Sequence, residues 1–153
     1  MDYLNKENKM KKIFIASDHG GYELKEYLKG YLKKSNYEVE DLGTNSNQSV
    51  NYPDYASKLS NEVIKNDTLG ILICGTGIGM SIAANKVDGI RAALVDSVTL
   101  AKLSRAHNNA NVLCMGGRIL GNILAEEIVD SFLTTNFEGG RHQNRLDIIS
   151  SLE

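Results

Sequence analysis

The sequence predicts an α/β protein with three layers, α/β/α, in which helices cover both faces of a five-stranded parallel sheet and a further helix ends the chain. Between Ile13 and about Thr135, short apolar runs alternate with segments whose apolar residues recur at helical spacing. This alternation is typical of βαβ units. The length of 153 residues suits a single domain, and no repeat, linker or shift in composition divides it.

Five strands and six helices follow from the pattern. The strands are predicted at Lys12–Ala16, Glu38–Leu42, Leu69–Cys74, Ile90–Val95 and Val112–Met115. The first helix follows strand one, where Leu24, Tyr27, Leu28, Tyr31 and Leu32 share one face. The others are predicted at Pro53–Lys65, Gly79–Val87, Ser97–Asn108, Leu120–Thr135 and from Asn144 onward.

Two details of these elements are specific enough to test. The last three strands are continuous apolar runs, as expected for strands covered on both faces, whereas the second is weaker and belongs nearer an edge. Pro53 suits the first turn of its helix and should hold Tyr52 extended at the helix entrance.

Charge and composition exclude several classes of protein. The formal net charge of −2 and a pI near 5.9 leave no basic surface for nucleic acid. No apolar run is long enough to cross a membrane. Both cysteines lie in apolar runs and the polar start lacks the apolar centre of a signal peptide, so a cytoplasmic location is expected. Residues 1–10 are expected to be a disordered extension before a domain at 11–153.

Polar loops follow four of the five predicted strands. In an open parallel sheet, the loops at the carboxyl ends of the strands form the ligand crevice. The four loops, predicted to share one rim, are Ser17–Gly21, Cys74–Gly77, Asp96–Ser97 and Gly116–Arg118.

Cys74 is the first candidate functional residue. It ends an apolar run, and glycines follow at alternate positions before a predicted helix. Such a loop directs backbone N–H groups at an anion and stabilises a thiolate. The alternative is a small buried hydrophobe beside a tight turn without a ligand, which is the expectation for Cys114.

A dinucleotide-binding loop is the weaker interpretation of the same glycines. Asp96 lies where a ribose-binding acid would stand. However, Met80 occupies the position of the third glycine of G-x-G-x-x-G, and the lysine of a P-loop is absent.

The remaining polar motifs are ambiguous on their own. Asp18 and His19 suit a loop or helix cap, and His107 with Asn108 suits a helix end. Arg141 and Arg145 would share one helix face and suit a phosphate, but they also suit a solvated turn. Because no histidine or cysteine cluster has metal-ligand spacing in the sequence, metal catalysis is not expected.

Together these motifs resemble type B ribose-5-phosphate isomerases, over nearly the whole range from Lys11 to Glu153. The family also includes the two subunits of galactose-6-phosphate isomerase and enzymes that act on allose 6-phosphate. The matching segments are Asp18-His19-Gly20-Gly21, Tyr52-Pro53-Asp54-Tyr55-Ala56, the run from Cys74 to Lys86, His107-Asn108-Asn109-Ala110-Asn111-Val112 and Gly139-Gly140-Arg141-His142.

The resemblance implies a Rossmann-like fold and a reversible aldose-ketose isomerisation of D-ribose 5-phosphate and D-ribulose 5-phosphate in the pentose phosphate pathway, with no cofactor or metal. Cys74 would be the general base that moves a proton between C1 and C2 through an enediolate. The Thr76 hydroxyl, which could also shuttle protons, and the backbone N–H groups of Gly75, Gly77, Ile78 and Gly79 would stabilise the developing negative oxygen.

The resemblance also implies roles for the other motifs. His107, assisted by Asp18, would open the sugar ring, and Asn108 would hold sugar hydroxyls. Tyr52 would line the sugar pocket. The phosphate would be bound by His19, Arg118, Arg141 and Arg145. Members of the family are homodimers, sometimes paired into tetramers, with each site built from two chains, so a homodimer is expected here.

Departures from the family pattern are mild and touch no assigned role. Asn51 stands where the family frequently has an acidic residue, Ala106 stands where a larger residue often precedes the histidine, and Cys114 stands where a small residue is usual. The galactose-6-phosphate subunits tend to lack the histidine of the His107 motif or the Arg141-His142 pair, and one lacks the cysteine. Since this chain has all three, ribose 5-phosphate is favoured. The alternatives are a hexose 6-phosphate isomerase and a non-catalytic sugar-phosphate or nucleotide-binding module.

Overall fold

A computed structural model describes residues 11–153, so the predicted extension at residues 1–10 lies outside the described part of the chain. The strands are β1 (Ile13–Ser17), β2 (Val39–Asp41), β3 (Gly70–Cys74), β4 (Ala92–Leu94) and β5 (Val112–Gly116). The helices are α1 (Tyr22–Lys34), α2 (Tyr52–Asn66), α3 (Ile78–Ala84), α4 (Val98–Ala106), α5 (Asn122–Thr134) and α6 (Arg141–Ser150).

All five strands are parallel and lie in the order β2-β1-β3-β5-β4. This confirms the predicted fold class, and the edge position of β2 is confirmed as well. The expectation that strand four is covered on both faces is wrong, because β4 forms the other edge and Leu94 is 43% exposed. Only Ala92 and Ala93 of this strand pack against the internal layers.

Side chains alternate along the strands and build one apolar layer on each face of the sheet. On one face, Ile15 and Ile71 pack among residues of α1 and α5, such as Leu28 and Phe132. On the other face, Phe14 and Leu72 pack among residues of α2 and α3. The three-layer arrangement follows from this alternation.

Helix boundaries differ from the predicted ones where local contacts override periodicity. The helix predicted to reach Val87 ends at Ala84, because the Asn85 side chain turns to the outer edge of β4. Its Oδ1 accepts from the Ala92 N–H at 2.8 Å and its Nδ2 donates to the Ala92 carbonyl at 3.0 Å. The Asn85 amide thus satisfies the two backbone groups that an edge strand leaves open.

The other corrections concern helix starts. The last helix begins at Arg141 rather than Asn144, since Gly139 and Gly140 hold positive φ angles and turn the chain into it. Tyr52 is the first residue of α2 and Asn51 is the extended residue before it, one position earlier than predicted. In residues 11–153, no helix is both long and apolar enough to span a membrane.

Candidate active site

The chain reverses its direction of winding between β1 and β3, which places a crevice at their carboxyl ends. From β1 the chain moves to β2 on one side, and from β3 it moves to β4 and β5 on the other. Ligands bind at such a switch point in open α/β sheets. Asp18 directly follows β1 and Cys74 ends β3, so both lie at this point, and the Asp18 N–H donates to the Ile73 carbonyl at 3.2 Å.

The Cys74 thiol faces the glycine loop. Its side chain is buried, and Sγ accepts a hydrogen bond from the Gly77 N–H at 3.1 Å. Gly77 has φ +82°, and a Cβ there would come within 2.8 Å of the Met115 backbone. Because no larger side chain fits that conformation and that space, glycine at this position keeps the N–H aimed at the sulfur.

Thr76 lies at the outer side of the same loop. Its side chain is exposed, and its Oγ1 accepts from the Ile78 N–H at 3.3 Å. Ile78 begins α3, so the loop leads directly into a helix N-terminus where backbone N–H groups lack helical partners. A negative oxygen beside Cys74 would meet these donors.

Asp18 is held in a fixed orientation against the glycine loop. Its Oδ1 accepts from the Gly20 N–H at 2.8 Å and from the Gly21 N–H at 3.2 Å, and the residue is only 6% exposed. A Cβ on Gly20 would lie 3.0 Å from the Gly75 nitrogen. The two loops therefore touch, and this contact brings the carboxyl group to the thiol side of the crevice.

His19 and Arg118 line one cavity of about 340 Å³ beside these loops. The His19 Nδ1 accepts from the Val50 N–H at 3.3 Å, so the neutral ring carries its proton on Nε2. The Arg118 N–H donates to the Gly75 carbonyl at 3.0 Å, which ties its loop to the glycine loop. An N–H donor and a guanidinium on one cavity suit a phosphate.

Tyr52 covers the other side of the glycine loop. A Cβ on Gly79 would lie 2.6 Å from the Tyr52 Cζ, so the ring rests on the first turn of α3. The side chain remains partly exposed at the crevice. Thus ten of the predicted site positions, from four separate segments of the chain, meet at one rim; they are Asp18, His19, Tyr52, Cys74, Gly75, Thr76, Gly77, Ile78, Gly79 and Arg118.

Four other predicted site residues lie at the opposite end of the sheet. His107 is the C-cap of α4, and α4 leads into the amino end of β5. Val112 pairs with Gly70, four residues before Cys74, so the length of the strand separates the two ends by about 13 Å. Asn108 follows His107, and Arg141 and Arg145 lie in the first two turns of α6. The Glu138 N–H, just before α6, donates to the Ala106 carbonyl at the end of α4 and so keeps the two helices together. Within one chain, His107 does not reach Cys74.

Two residues at this second end, Glu138 and His142, were not predicted from the sequence. The rings of His107 and His142 stack at 4.5 Å between centroids with 16° between their planes. Glu138 Oε2 lies 3.8 Å from His107 Nε2 and 3.5 Å from His142 Nε2. The fold thus brings together three possible metal ligands, His107, Glu138 and His142, whose positions in the sequence show no metal-ligand spacing. The signal available in the sequence was the i, i+4 spacing of Glu138 and His142, but the third member comes from a distant loop.

The two cysteines have different environments. Cys114 is fully buried in the middle of β5, and burial raises the pKa of its thiol far above the ordinary value, with the nearby Cys74 adding to the effect. Cys114 is thus the inert apolar residue that its sequence context predicted. Cys74, at a strand end, is the thiol that borders the crevice.

The chain is similar to known proteins over most of its length. A family model described as Ribose/Galactose Isomerase matches residues 13–149. The chain is 47% identical to ribose-5-phosphate isomerase B of Escherichia coli, with 94% of this chain and 97% of that protein covered. It resembles the structure of a ribose 5-phosphate isomerase from Thermotoga maritima with a TM-score of 0.90 and 55% identity, covering 92% and 97% of the two chains.

A structure of ribose-5-phosphate isomerase B from Mycoplasma genitalium with bound ribulose-5-phosphate matches with a TM-score of 0.88 and 50% identity, covering 92% and 95% of the two chains. The family model spans residues 13–149, which include every loop described above. The chain therefore belongs to the ribose/galactose isomerase family.

Proposed function

We propose that this chain interconverts D-ribose 5-phosphate and D-ribulose 5-phosphate through an enediolate, without a metal, as a step of the pentose phosphate pathway. The observation that carries the proposal is the buried Cys74 thiol at the switch point, hydrogen-bonded to the Gly77 N–H of a glycine loop. The relatives named ribose-5-phosphate isomerase B, one of them with ribulose-5-phosphate bound, support the same substrate.

In this mechanism the Cys74 thiolate removes the proton from C2 of the open-chain aldose and returns a proton to C1. The oxygen on C1 becomes negative as the C2–H bond breaks. The N–H groups in the first turn of α3, which have no partner within the helix, and the Thr76 hydroxyl stabilise that oxygen, and Thr76 carries a proton between the two oxygens. His19 and Arg118 hold the phosphate, so that C1 and C2 stay beside the thiol.

Ring opening requires a second chain. His107 acts as the acid with Asp18 assisting, yet His107 lies about a strand length from Cys74 of its own chain. We assign a homodimer in which His107, Asn108, Arg141 and Arg145 of one copy complete the crevice of the other. This arrangement also brings two more guanidinium groups to the phosphate.

An apolar surface next to the crevice supports this assembly. Ile78, Leu94 and Ile119 line one cavity of about 320 Å³ together with Thr76, and each of the three is exposed. Exposed apolar side chains that border a site are typical of a surface covered by another protein copy. Leu94 belongs to the edge strand β4, so this surface lies at one edge of the sheet.

The deciding experiment compares kcat/KM for ribose, allose and galactose phosphates with excess chelator present. We expect ribose 5-phosphate to be preferred and the rate to be unaffected by the chelator. A higher kcat/KM for a hexose 6-phosphate supports the alternative hexose isomerase, and tight binding of every sugar phosphate without turnover supports the non-catalytic alternative. Loss of turnover with chelator contradicts the metal-independent mechanism.

The two cysteines provide a matched pair of variants. Cys74→Ala should lower kcat by about 10²–10⁴-fold or more because the general base is lost, while sugar-phosphate affinity stays nearly unchanged. Cys114→Ala, in the adjacent strand, should retain kcat and lose some stability through the small cavity it leaves. Unchanged turnover in Cys74→Ala excludes the thiol as the base.

The proposal also places the protein in the cytoplasm, where both thiols stay reduced, and cell fractionation tests this location.

A further inference from the structure

A three-residue cluster at the amino end of β5 has the composition of a transition-metal site. It consists of His107, Glu138 and His142, and one donor atom from each lies within 4.8 Å of the other two. The three come from two separate segments, the end of α4 and the segment 138–142 that leads into α6. The backbone bond from the Glu138 N–H to the Ala106 carbonyl, 3.0 Å long, holds the segments together.

The spacing of the donors is close to that of a tetrahedral ion. Bonds of about 2.0–2.1 Å to a tetrahedral Zn²⁺ place neighbouring ligand atoms about 3.3–3.4 Å apart. The Glu138 Oε2 lies 3.5 Å from His142 Nε2 and 3.8 Å from His107 Nε2. The remaining pair of donors, one on each histidine, lies within 4.8 Å, and the two rings are stacked. The His107 ring must therefore turn toward the ion, which is possible because the side chains of His107 and Glu138 are 39% and 59% exposed while that of His142 is buried.

The donor set also selects the kind of ion. Two imidazole nitrogens and one carboxylate oxygen suit Zn²⁺, Co²⁺ or Ni²⁺, whereas Mg²⁺ and Ca²⁺ prefer sites made of oxygen alone. Three protein ligands leave the fourth position of a tetrahedral ion open. The neighbouring Arg141 and Arg145 oppose a cation, so the site should bind more weakly than a structural zinc site.

We propose that His107, Glu138 and His142 bind Zn²⁺ or a similar transition-metal ion, and that this ion inhibits the enzyme. Bound metal occupies Nε2 of His107 and removes that atom from proton transfer. The binding site stands on geometry alone, while inhibition rests on the proposed role of His107 in ring opening. Substrate would open the ring only in the metal-free protein.

The binding test uses the full chain freed of metal by a chelator and then dialysed. Calorimetric titration with Zn²⁺ should give one ion per chain, and Mg²⁺ should give no binding. Glu138→Gln should raise the Kd for Zn²⁺ about tenfold or more, and His142→Asn should do the same, since each loses a ligand. Glu40→Gln, a control at an exposed glutamate remote from the cluster, should bind Zn²⁺ like the unmodified chain.

Co²⁺ provides a readout that distinguishes this cluster from Cys74. Co²⁺ bound by the cluster should show the visible absorption of a tetrahedral ion without the strong near-ultraviolet band of a thiolate ligand. Absence of Zn²⁺ binding, an unchanged Kd in both ligand variants, or a thiolate band that disappears in Cys74→Ala overturns the site.

The inhibition test measures turnover. Zn²⁺ should stop turnover of the unmodified enzyme reversibly, and excess chelator should restore it. Relative to its own metal-free rate, Glu138→Gln should need at least tenfold more Zn²⁺ for the same fractional inhibition. Bound Zn²⁺ that leaves turnover unchanged overturns the inhibition and the role of His107 together, while the binding site itself stands.

Discussion

Two inactive variants should restore activity when they share one dimer. Cys74→Ala removes the proposed base at the carboxyl end of β3, and His107→Asn removes the proposed acid at the amino end of β5. A chain with either substitution alone should form dimers in which both sites are damaged. In a mixed dimer, one site combines the intact Cys74 of the second variant with the intact His107 of the first.

The expected kcat of the mixed dimer follows from the separation of Cys74 and His107. The register of β3 and β5 puts about 13 Å of strand between their ends, far beyond the roughly 3 Å at which a proton is transferred. If the crevice takes His107 from the partner, a mixed dimer has one intact site and one doubly damaged site. Its kcat per dimer should be about half that of the unmodified enzyme, since the two sites of a symmetric dimer are equivalent.

The assay co-expresses the two variants with different affinity tags and purifies the mixed dimer through both. Each homodimer should retain at most about 1% of the unmodified kcat, as expected for loss of a general acid or base. The unmodified chain carrying both tags serves as the control for the purification. If the mixed dimer is as inactive as the two homodimers, His107 does not act across an interface and the shared site is refuted.

A buried ion cluster and the glycine loop give further predictions. Lys25, whose side chain is fully buried, donates to Asp41 at 2.5 Å, and Lys29 donates to the same oxygen at 2.7 Å. Lys25→Met should lower the free energy of unfolding in urea by about 2–3 kcal/mol, below the usual cost of breaking a buried pair because Lys29 remains, and Lys29→Met by about 1 kcal/mol or less. Equal losses in the two variants contradict the role of burial. Burial alone would raise the pKa of Asp41, but hydrogen bonds from Lys25, Lys29 and the Gly43 N–H lower it below 3.8. Asp41 therefore stabilises the fold fully above the pKa that its carboxyl group has in the unfolded chain, and this stabilisation is lost as the pH falls through the lower pKa in the folded chain. Asp41→Asn should thus lose less stability than the unmodified chain below about pH 4. An identical dependence of the free energy of unfolding on pH in the two chains contradicts this. Gly77→Ala should lower the free energy of unfolding by about 1–2 kcal/mol and also lower kcat. Gly30→Ala, at a helical position with open space around it, should leave the free energy of unfolding unchanged or raise it by up to about 1 kcal/mol. Comparable losses at both glycines contradict the argument that only the Gly77 conformation requires glycine.

The fold was predictable because its strands differ from its helices in the period of their apolar residues. Ile71 and Leu72 point to opposite layers, and an uninterrupted apolar run is the only pattern that satisfies both. The same rule failed at β4, where Ala92 and Ala93 pack against the two internal layers but Leu94 is exposed at the edge of the sheet. A sequence pattern reports that a residue is apolar, but it does not report which molecule covers it.

The site was predictable in its parts but not in its placement. The glycine spacing located the loop around Cys74, because only a tight turn with close backbone contact needs glycine at those positions. The resemblance supplied His107 and Arg141, and neither the motifs nor their order showed that these residues lie at the other end of the sheet. Glu138 was missed since a glutamate in a loop is ordinarily solvated, and its significance depends on two histidines that only the fold brings together.

The separation of base and acid is a direct consequence of the topology. In a parallel sheet every connecting helix returns antiparallel to the strands, so its last residues arrive at the amino ends, away from the crevice. His107, as the C-cap of α4, is bound to that end by the same geometry that puts Cys74 at the carboxyl end of β3. No rotation of either side chain can cover the length of the strands between them. A fold of this kind can use a helix C-terminus in its own chemistry only through a second copy whose amino end faces the first copy's crevice, which makes the dimer part of the proposed active site.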